Sequence, residues 1–422
     1  MPVLNGTAPV GVGSLLCADR DAPACRALSR SPLFLLTLVL LTSLGPFAMS
    51  VFVPALPMIQ AAFAVPGAVA QLTLSVSLIA MACASLAYGN LADRFGRRPV
   101  LLAGIALGIA GSLLCAAGPG IGTLIVGRAL QAAGASAGYV LARVVVQDVY
   151  GEARSARVLA YVTAAMTLAP LCGPLVGGHL IEGVGWRAVF LVTAVLAAAL
   201  LLLVGLRLPE TRPAPGSRPA GGLFGDLAAL LRDAAYLRFM AFGTLIQAAF
   251  FGFIAGAPYL MTEFLGYPPS VYGYYFAMVP LGYFTGSLLA GRFGQALSAD
   301  RLTQAGAVAG VAACALGWFW TAGAQTQPLA LFLPAALLSV TCGLALPGAQ
   351  AGMLAAAGAR AGAGSGLFSF VQLLASALAA QLVGLLQALG PAGLFAVMAG
   401  SVALGLIGYT LCAAAVRTAD NA

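Results

Sequence analysis

A succession of long apolar segments dominates this 422-residue chain and leaves it few ways to fold. Hydrophobic residues make up 61% of the sequence and charged residues 8%, which is outside the range of water-soluble domains. A helix needs about 20 apolar residues to cross a bilayer. Since unpaired backbone amides are not tolerated in lipid, segments this long and continuous must be helices. The sequence therefore predicts an all-α membrane protein whose first partner is the lipid bilayer.

Twelve transmembrane helices are predicted, and an even number places both termini on the same side of the membrane. The predicted spans, numbered one to twelve in chain order, are 33–55, 69–91, 99–117, 121–147, 155–181, 187–207, 236–262, 270–291, 302–323, 328–350, 361–388 and 392–416.

The positions of the arginines predict the orientation. All 20 basic residues are arginines, and a cytoplasmic N-terminus places seventeen of them on the inner side and only Arg187 on the outer side. The remaining two, Arg128 and Arg143, lie inside span four. We therefore predict cytoplasmic termini and a multi-pass protein of the inner (cytoplasmic) membrane. Since topology accounts for the net charge of +8, no nucleic-acid partner is expected.

The longest polar connection divides the chain into two sets of six spans. The predicted organisation is a cytoplasmic N-terminal tail at 1–32, a six-helix bundle at 33–208, a cytoplasmic linker at 209–235, a second six-helix bundle at 236–416, and a C-terminal tail at 417–422.

The two halves also repeat one another. The sequence Asp93 to Gly96 recurs as Gly291 to Gly294, and Ala55 to Pro57 recurs as Gly256 to Pro258. An internal repeat at half the chain length predicts two pseudo-symmetric bundles with a binding site between them.

The turn between spans two and three concentrates charge in a chain that has little of it. A carboxylate at a helix end can accept hydrogen bonds from free amides of a neighbouring helix, and arginines can pair with acids on adjacent helices. A simple topology anchor would need only arginines, whereas this turn adds an aspartate and two glycines. Its residues are Gly89, Asp93, Arg94, Gly96, Arg97 and Arg98.

Span five carries two prolines four residues apart, Pro170 and Pro174. Each removes an intrahelical hydrogen bond, so the helix is expected to bend. Gly173 and Gly177 have the GxxxG spacing that lets helices pack closely, and Gly178 follows them. The pattern predicts a bent, tightly packed hinge.

Span four contains an arginine, which is costly in a membrane unless it faces a polar cavity or a partner. Arg128 and Gln131 share one helix face, with Gly134 following, so this face is predicted to line a central cavity. A purely structural arginine is the alternative. Arg143 lies about 22 Å further along the axis, nearer the inner surface.

These motifs, together with Val53 to Pro57 in span one, resemble those of the major facilitator superfamily. Within it, the chain is similar to the twelve-span drug:proton antiporters of the Bcr/CflA type, which include phenicol exporters. Spans one to six match the family well, whereas spans seven to twelve match mostly in their pattern of hydropathy.

The resemblance implies roles for the motif residues. Asp93 would face the start of span eleven, and Arg97 would reach Asp148 at the end of span four. These residues would latch the inner face shut, with Arg143 in the same gate. The span-five motif would indicate export rather than uptake, and Arg128 would take part in proton transfer.

One position departs from the family pattern. The Bcr/CflA type usually has an aspartate four residues before the first span-one proline, where this chain has Ser50. The candidate proton carriers are then Glu182, Glu263, Asp148 and the lone His179, all near helix ends. His179 and Glu182 lie on one helix face and could share a proton, although His179 as an ordinary polar residue remains the alternative.

An aromatic face in span seven predicts a cavity for amphipathic compounds. Such a cavity would lack an acid to pair with a cation, and Arg128 would favour neutral or anionic compounds. Lipid-facing aromatics are the alternative. The predicted lining residues are Gln247, Phe250, Phe251 and Ile254 of span seven, Tyr275 and Phe276 of span eight, and Phe368 and Gln372 of span eleven.

The sequence predicts a secondary-active exporter of small amphipathic or drug-like compounds that works by alternating access as a monomer, with proton antiport as its energy source. An importer or uncoupled facilitator of a small metabolite is the alternative, because the span-one acid is missing. With a single histidine and scattered acids, we expect neither an enzyme nor a metal or cofactor site.

Overall fold

The computed structural model describes residues 32–211, 223–293, 299–322 and 327–420, and the regular elements in these ranges are helices. The predicted N-terminal tail lies outside the described residues except for Pro32, where the first helix begins.

The first half contains seven helices, which are α1 (Pro32–Phe52), α2 (Leu56–Phe63), α3 (Gly67–Phe95), α4 (Arg97–Ala117), α5 (Ile121–Met166), α6 (Leu168–Gly183) and α7 (Arg187–Arg207). The second half contains α8 (Leu223–Leu230), α9 (Ala234–Tyr259), α10 (Pro269–Phe276), α11 (Met278–Phe293), α12 (Ala299–Thr321), α13 (Pro328–Ala357), α14 (Ala361–Leu385) and α15 (Gly390–Asp420). A 3₁₀ turn at Val53–Ala55 joins α1 to α2, and a π-helical turn at Leu260–Phe264 follows α9.

Eleven helical segments in the described part of the chain are long and apolar enough to cross a membrane. The segment predicted as span eight is divided at Ala277 into α10 and α11. These helices have 8 and 16 residues, and each is too short to cross the membrane alone. Pro280 explains the break, because it has no amide hydrogen to bond the carbonyl of Phe276. Pro170 acts in the same way at Met166, where α5 ends.

Three boundaries differ from the sequence-based expectation. Spans four and five are joined by continuous helix, because α5 runs for 46 residues through the predicted connection. That connection contains Glu152, Ala153 and Arg154, which are all good helix formers. The predicted linker contains α8, and α15 continues to Asp420 inside the predicted C-terminal tail.

The first long helix of the second half, α9, is capped at its start. The Asp233 side chain accepts hydrogen bonds from the amides of Ala235 and Tyr236 at 2.8 and 3.3 Å. This is the usual role of an aspartate at a helix N-cap, and it fixes the start of α9.

Small residues let the helices of each half approach closely. A Cβ atom added at Gly134 of α5 would lie 2.3 Å from the Gly108 amide of α4. In the second half, a Cβ added at Gly343 of α13 would lie 2.1 Å from the Tyr283 carbonyl of α11. Such contacts are how helices associate where lipid removes the hydrophobic driving force. Each half is therefore a tightly packed body of its own.

Candidate functional site at the junction of the two halves

Successive membrane-crossing segments, with α1–α2 and α10–α11 each taken as one, run in alternate directions, so their ends form two faces of the bundle. The near end holds the start of α1 and the connections at 208–211 and 231–233. The far end holds the connections at 64–66 and 184–186. The candidate site residues fall at one end or the other, or at the junction between the halves.

At the near end, Arg97 joins three helices of the first half. It is the first residue of α4 and is 5% exposed. Its Nη1 atom lies 2.6 Å from Asp93 Oδ1 in the last turn of α3, and its Nε atom lies 3.1 Å from Asp148 Oδ2 of α5. The structure thus brings together the three residues that the family resemblance had grouped.

Glu210 completes this cluster from the segment after α7. Its carboxylate accepts hydrogen bonds from the backbone amides of Arg97 at 2.8 Å and Arg98 at 3.1 Å. These are free amides at the start of α4, where an anion is favoured. Gly96 is required beside it, because its φ is +97° and an added Cβ would lie 2.6 Å from Glu210 Oε2.

Glu210 is not among the site residues predicted from the sequence. Its signal was an acid just past the end of a span, and the distance in sequence between Glu210 and Arg97 gave no reason to pair them. We call Asp93, Arg97, Arg98, Asp148 and Glu210 the near-end brace.

The near-end brace connects elements of one half. The bonds of Arg97 go to Asp93, Asp148 and Glu210, and the Arg98 side chain donates to the carbonyl of Gly205 in α7. These contacts hold the first half together and do not themselves close it against the second. The expected contact of Asp93 with the start of span eleven stays a prediction.

Other residues of the turn have different surroundings. The Arg94 guanidinium lies 5.2 Å from the centre of the Phe95 ring. Gly89 has open space around it, since no atom lies within 4 Å of an added Cβ. No close helix approach explains its presence.

Arg143 is not part of the brace, which corrects its placement in the gate. Its side chain is exposed, donates to Tyr139 Oη at 2.6 Å and lies over the Tyr139 ring. Five residues separate it from Asp148, a rotation of about 140° around the helix, so the two side chains point to different sides.

At the far end, α6 of the first half meets α10 of the second. Glu182 Oε1 accepts a hydrogen bond from the Ser270 amide at 2.7 Å, and His179 Nε2 lies 2.8 Å from Tyr274 Oη. The two predicted proton sharers therefore each bond to the opposite half.

Glycines bring the same helices into contact. A Cβ added at Gly178 would lie 2.6 Å from the Pro269 carbonyl, and one added at Gly273 would lie 2.6 Å from the Pro174 carbonyl. The last glycine of the span-five motif thus faces the second half, across the junction.

A second contact joins α3 to α9 and α14 at the far end. Gln71 Nε2 donates to the Ala255 carbonyl at 2.7 Å, and Gln381 Nε2 donates to the Ala68 carbonyl at 2.9 Å. Ser75 lies 3.3 Å from Gln381 Oε1. We call this contact and the α6–α10 contact the far-end seam.

Two apolar side chains cross the junction in opposite directions. Tyr259 of α9 packs in a cluster of the first half that contains Phe52 and Phe190. Val53 packs in the core of the second half. Val53 and Tyr259 lie beside the two segments that repeat one another in sequence, which end at Pro57 and Pro258.

The remaining span-five glycines pack against α1. An added Cβ at Gly173 would lie 2.1 Å from Ser50 Oγ, and one at Gly177 would lie 2.3 Å from the Val51 carbonyl. Ser50 Oγ lies 2.8 Å from the Pro46 carbonyl and 3.3 Å from the Ala169 carbonyl. Ser50 is therefore a packing residue between α1 and α6.

Arg128 lies inside the first half and is 1% exposed. Its Nη1 atom donates to Gln131 Oε1 at 2.6 Å, and Gln131 Nε2 donates to Ser112 at 2.8 Å. The Phe52 ring centre lies 4.0 Å from the guanidinium carbon, a cation–π distance. In this conformation Arg128 is covered, whereas Gln131, which is 3% exposed, lines a small cavity inside the first half together with Ser112.

The predicted aromatic lining separates into two groups. Gln247, Phe250, Phe251, Ile254 and Tyr275 are half-buried. These side chains stay candidates for contact with a bound compound.

Phe276 and Phe368, by contrast, are buried in the core of the second half, which corrects their placement in the lining. Phe368 packs against Gly243, where an added Cβ would lie 2.7 Å from its ring, and Gln372 donates to the Gly243 carbonyl at 3.2 Å. The missing side chain at Gly243 makes room for Phe368 in the core.

Two helical bundles that meet across a polar seam, with a buried arginine beside it, define a polytopic membrane transport protein. Residues 38–380 match the Major Facilitator Superfamily. The chain belongs to this superfamily, whose members are transporters and not enzymes.

The chain is also similar in sequence to bacterial transporters and drug-resistance proteins. The chain is 29% identical over 351 residues to "Uncharacterized MFS-type transporter YdgK" of Bacillus subtilis, covering 82% of this chain and 87% of the relative. It is 28% identical to "Multidrug resistance protein D" of Escherichia coli, covering 85% and 90%. It is 25% identical to the "Bicyclomycin resistance protein homolog" of Haemophilus influenzae, covering 64% and 69%. These relatives confirm the resemblance to the drug:proton antiporter group.

Solved structures share the fold at low identity. An inward-facing, occupied bacterial homologue of the human lysosomal transporter Spinster has a TM-score of 0.73 at 16% identity, covering 94% of this chain and 98% of that one. A D-xylose-proton symporter has a TM-score of 0.70 at 14% identity, covering 90% and 96%.

Proposed function

We propose that this protein exports small amphipathic or drug-like compounds across the cytoplasmic membrane by alternating access, driven by proton antiport. The complete span-five motif and relatives that include multidrug and bicyclomycin resistance proteins support export. The proton gradient supplies the energy, without a bound cofactor, and the protein works as a monomer.

The proposed topology has twelve spans and cytoplasmic termini. The segments α10 and α11 together cover Pro269 to Phe293, which is 25 residues and long enough to cross the bilayer despite the break. The near end is then the inner face, and the distribution of arginines supports this orientation.

The position of the hydrogen bonds between the two halves is the main support for this proposal. Among the described residues, the hydrogen bonds of Gln71, Glu182 and Gln381 join the two halves at the far end, in the far-end seam. At the near end, the Arg97–Asp148, Arg238–Asp300 and Arg360–Asp226 ion pairs each lie within one half. This arrangement is expected of a state closed to the outside, and transport requires the seam to break as the near ends come together.

The proposed substrate path runs along the half-buried face of α9. Gln247 offers a polar group among Phe250, Phe251 and Ile254, and the half-buried Tyr275 of α10 is a further candidate. Aromatic contact with one polar handle suits compounds that differ in shape but share an apolar body.

Ser50 favours a second candidate, an importer or uncoupled facilitator of a small metabolite. An exporter of this group would ordinarily carry an acid at that position, and here a hydroxyl packs against the α6 backbone. The acids left for coupling are at helix ends, as Glu182 and Glu263 are.

Flux measurements under an imposed pH gradient test the proposal and separate the two candidates. Purified protein in proteoliposomes is given a fluorescent amphipathic compound and a gradient of either sign. Movement of the compound uphill against the proton flow supports antiport, with Glu182→Gln slower than wild type. Leak is measured in protein-free vesicles and subtracted. Wild-type flux that is then independent of the pH gradient contradicts antiport and favours a facilitator.

A further inference from the structure

A buried guanidinium without a counter-ion lies next to the junction of the halves. The described contacts of the Arg128 side chain are with neutral groups, namely Gln131 Oε1 at 2.6 Å, the Thr73 carbonyl at 3.4 Å and Met49 Sδ at 3.1 Å. Among the described residues no carboxylate forms an ion pair with it. Burying a charge without a partner is expensive, and such residues in membrane spans usually serve a ligand or an ion.

The three nitrogen atoms are not equally satisfied. Nη1 has a short bond to Gln131, whose own amide is held by Ser112. Nη2 points at the sulfur of Met49. A thioether is a weak acceptor, so Nη2 keeps most of its capacity to bind an anionic oxygen.

Met49 is the side chain that separates Nη2 from the second half. It packs against Leu74 of its own half and against Ala255 and Ala380 of the other. Ala255 also accepts a hydrogen bond in the far-end seam. Separation of the halves therefore releases the packing that holds Met49 over Arg128.

We infer that the protein binds amphipathic organic anions, whose acidic group replaces the Met49 sulfur at Arg128 Nη2. The inference rests on the proposed function, because it assigns the substrate class to the same path. The guanidinium orients the ligand through Nη2 while Gln131 keeps the group from turning. The Phe52 ring holds the guanidinium plane in place. The apolar body would lie against the half-buried aromatics of α9, the helix whose Ala255 packs on Met49.

Three ligands of one shape test this inference. Naphthalene-2-carboxylate, its neutral carboxamide and the cationic 2-(aminomethyl)naphthalene are titrated calorimetrically into detergent-purified protein near neutral pH. We expect the carboxylate to bind roughly tenfold more tightly than the carboxamide, as one charge-assisted hydrogen bond predicts. The cation is expected to bind most weakly.

Two substitutions localise the effect. Arg128→Met should remove the preference for the carboxylate and leave carboxamide affinity within about twofold. Arg143→Met removes the same charge from an exposed position on the same helix and should preserve the preference. Since Arg128→Met could impair folding, Met49→Leu gives an independent reading, because it deletes the competing acceptor and should tighten carboxylate binding alone.

Equal affinities of the three ligands for wild type would overturn the inference, as would a carboxylate preference that survives Arg128→Met in folded protein. Uphill flux of neutral compounds would leave the proposed export intact in either case. Anion-selective binding without gradient-driven flux would instead contradict the proposed export and leave the anion site standing.

Discussion

The carboxylate of Glu182 in one half accepts a hydrogen bond from the backbone amide of Ser270 in the other, at 2.7 Å. Ser270 lies in the first turn of α10, where amides lack partners within the helix. A side chain of one bundle thus caps a helix of the other, and breaking this contact is part of any opening at the far end.

Glu182→Gln is expected to favour the open far end. The amide side chain still offers an oxygen, but the charge is lost, and for an exposed group this weakens the seam by about 1 kcal/mol, or roughly fivefold in the open-to-closed ratio. The measurement is labelling of Ala255→Cys by a membrane-impermeant maleimide from outside, in a chain whose eight native cysteines are replaced.

Glu263→Gln is the matched control for that experiment. The Glu263 carboxylate accepts from Gln387 at 3.1 Å, and both residues belong to the second half. Labelling of Ala255→Cys should stay at the wild-type rate in this variant. Equal increases in both variants would show that Glu182 has no particular role at the seam.

Gly178→Ala should stop the far-end seam from closing. The new methyl carbon would lie 2.6 Å from the Pro269 carbonyl, and a backbone atom in a helix cannot easily move away. Flux should fall at least about tenfold while the amount of folded protein stays normal, since the clash is relieved by separation of the halves. Gly183→Ala, on the same helix with open space around it, should transport normally.

Asp148→Asn should destabilise the first half. It removes one of the two carboxylates paired with the nearly fully buried Arg97, and since Asp93 stays in place the cost is about 2 kcal/mol. The melting temperature of purified protein should fall by several degrees. Asp226→Asn breaks the exposed pair with Arg360 at 3.5 Å, worth about 0.5 kcal/mol, and should leave melting almost unchanged.

Restoring the family's acid with Ser50→Asp should destabilise the protein in a pH-dependent way. An ionised carboxylate there would face the Pro46 and Ala169 carbonyls, which already surround the hydroxyl. Protonation turns the group into a donor for the same carbonyls, so the loss of stability should be larger at about pH 8 than at about pH 5. Ser50→Asn, which does not titrate, serves as control, and an equal loss at both pH values would refute the argument.

Local chemistry made the near-end brace partly predictable. Asp93 and Arg97 are four residues apart across one turn, and the family resemblance implied Asp148 as the third member. Glu210 was missed because its partners are two backbone amides, and a backbone amide leaves no trace in a sequence. Arg143 was misplaced because its distance along the helix was considered without its direction around it.

Packing partners were harder to foresee than helices. The 3.6-residue period of α9 correctly groups Gln247, Phe250 and Ile254 on one half-buried face. Nothing in α14 alone indicates that Phe368 fills the space above Gly243. Helix breaks were not foreseen either, since Pro280 interrupts a span predicted as continuous while Pro174 and Pro258 lie inside helices.

The bonds of Glu210 and Asp233 bear on how far the two halves can travel. Glu210 is fastened to the start of α4, and Asp233 to the start of α9. The stretch that connects the bundles is therefore anchored to the first half at Glu210 and to the second half by Leu230 of α8, which packs in its core. Shortening that stretch should limit the stroke of the transporter without touching any residue at the junction.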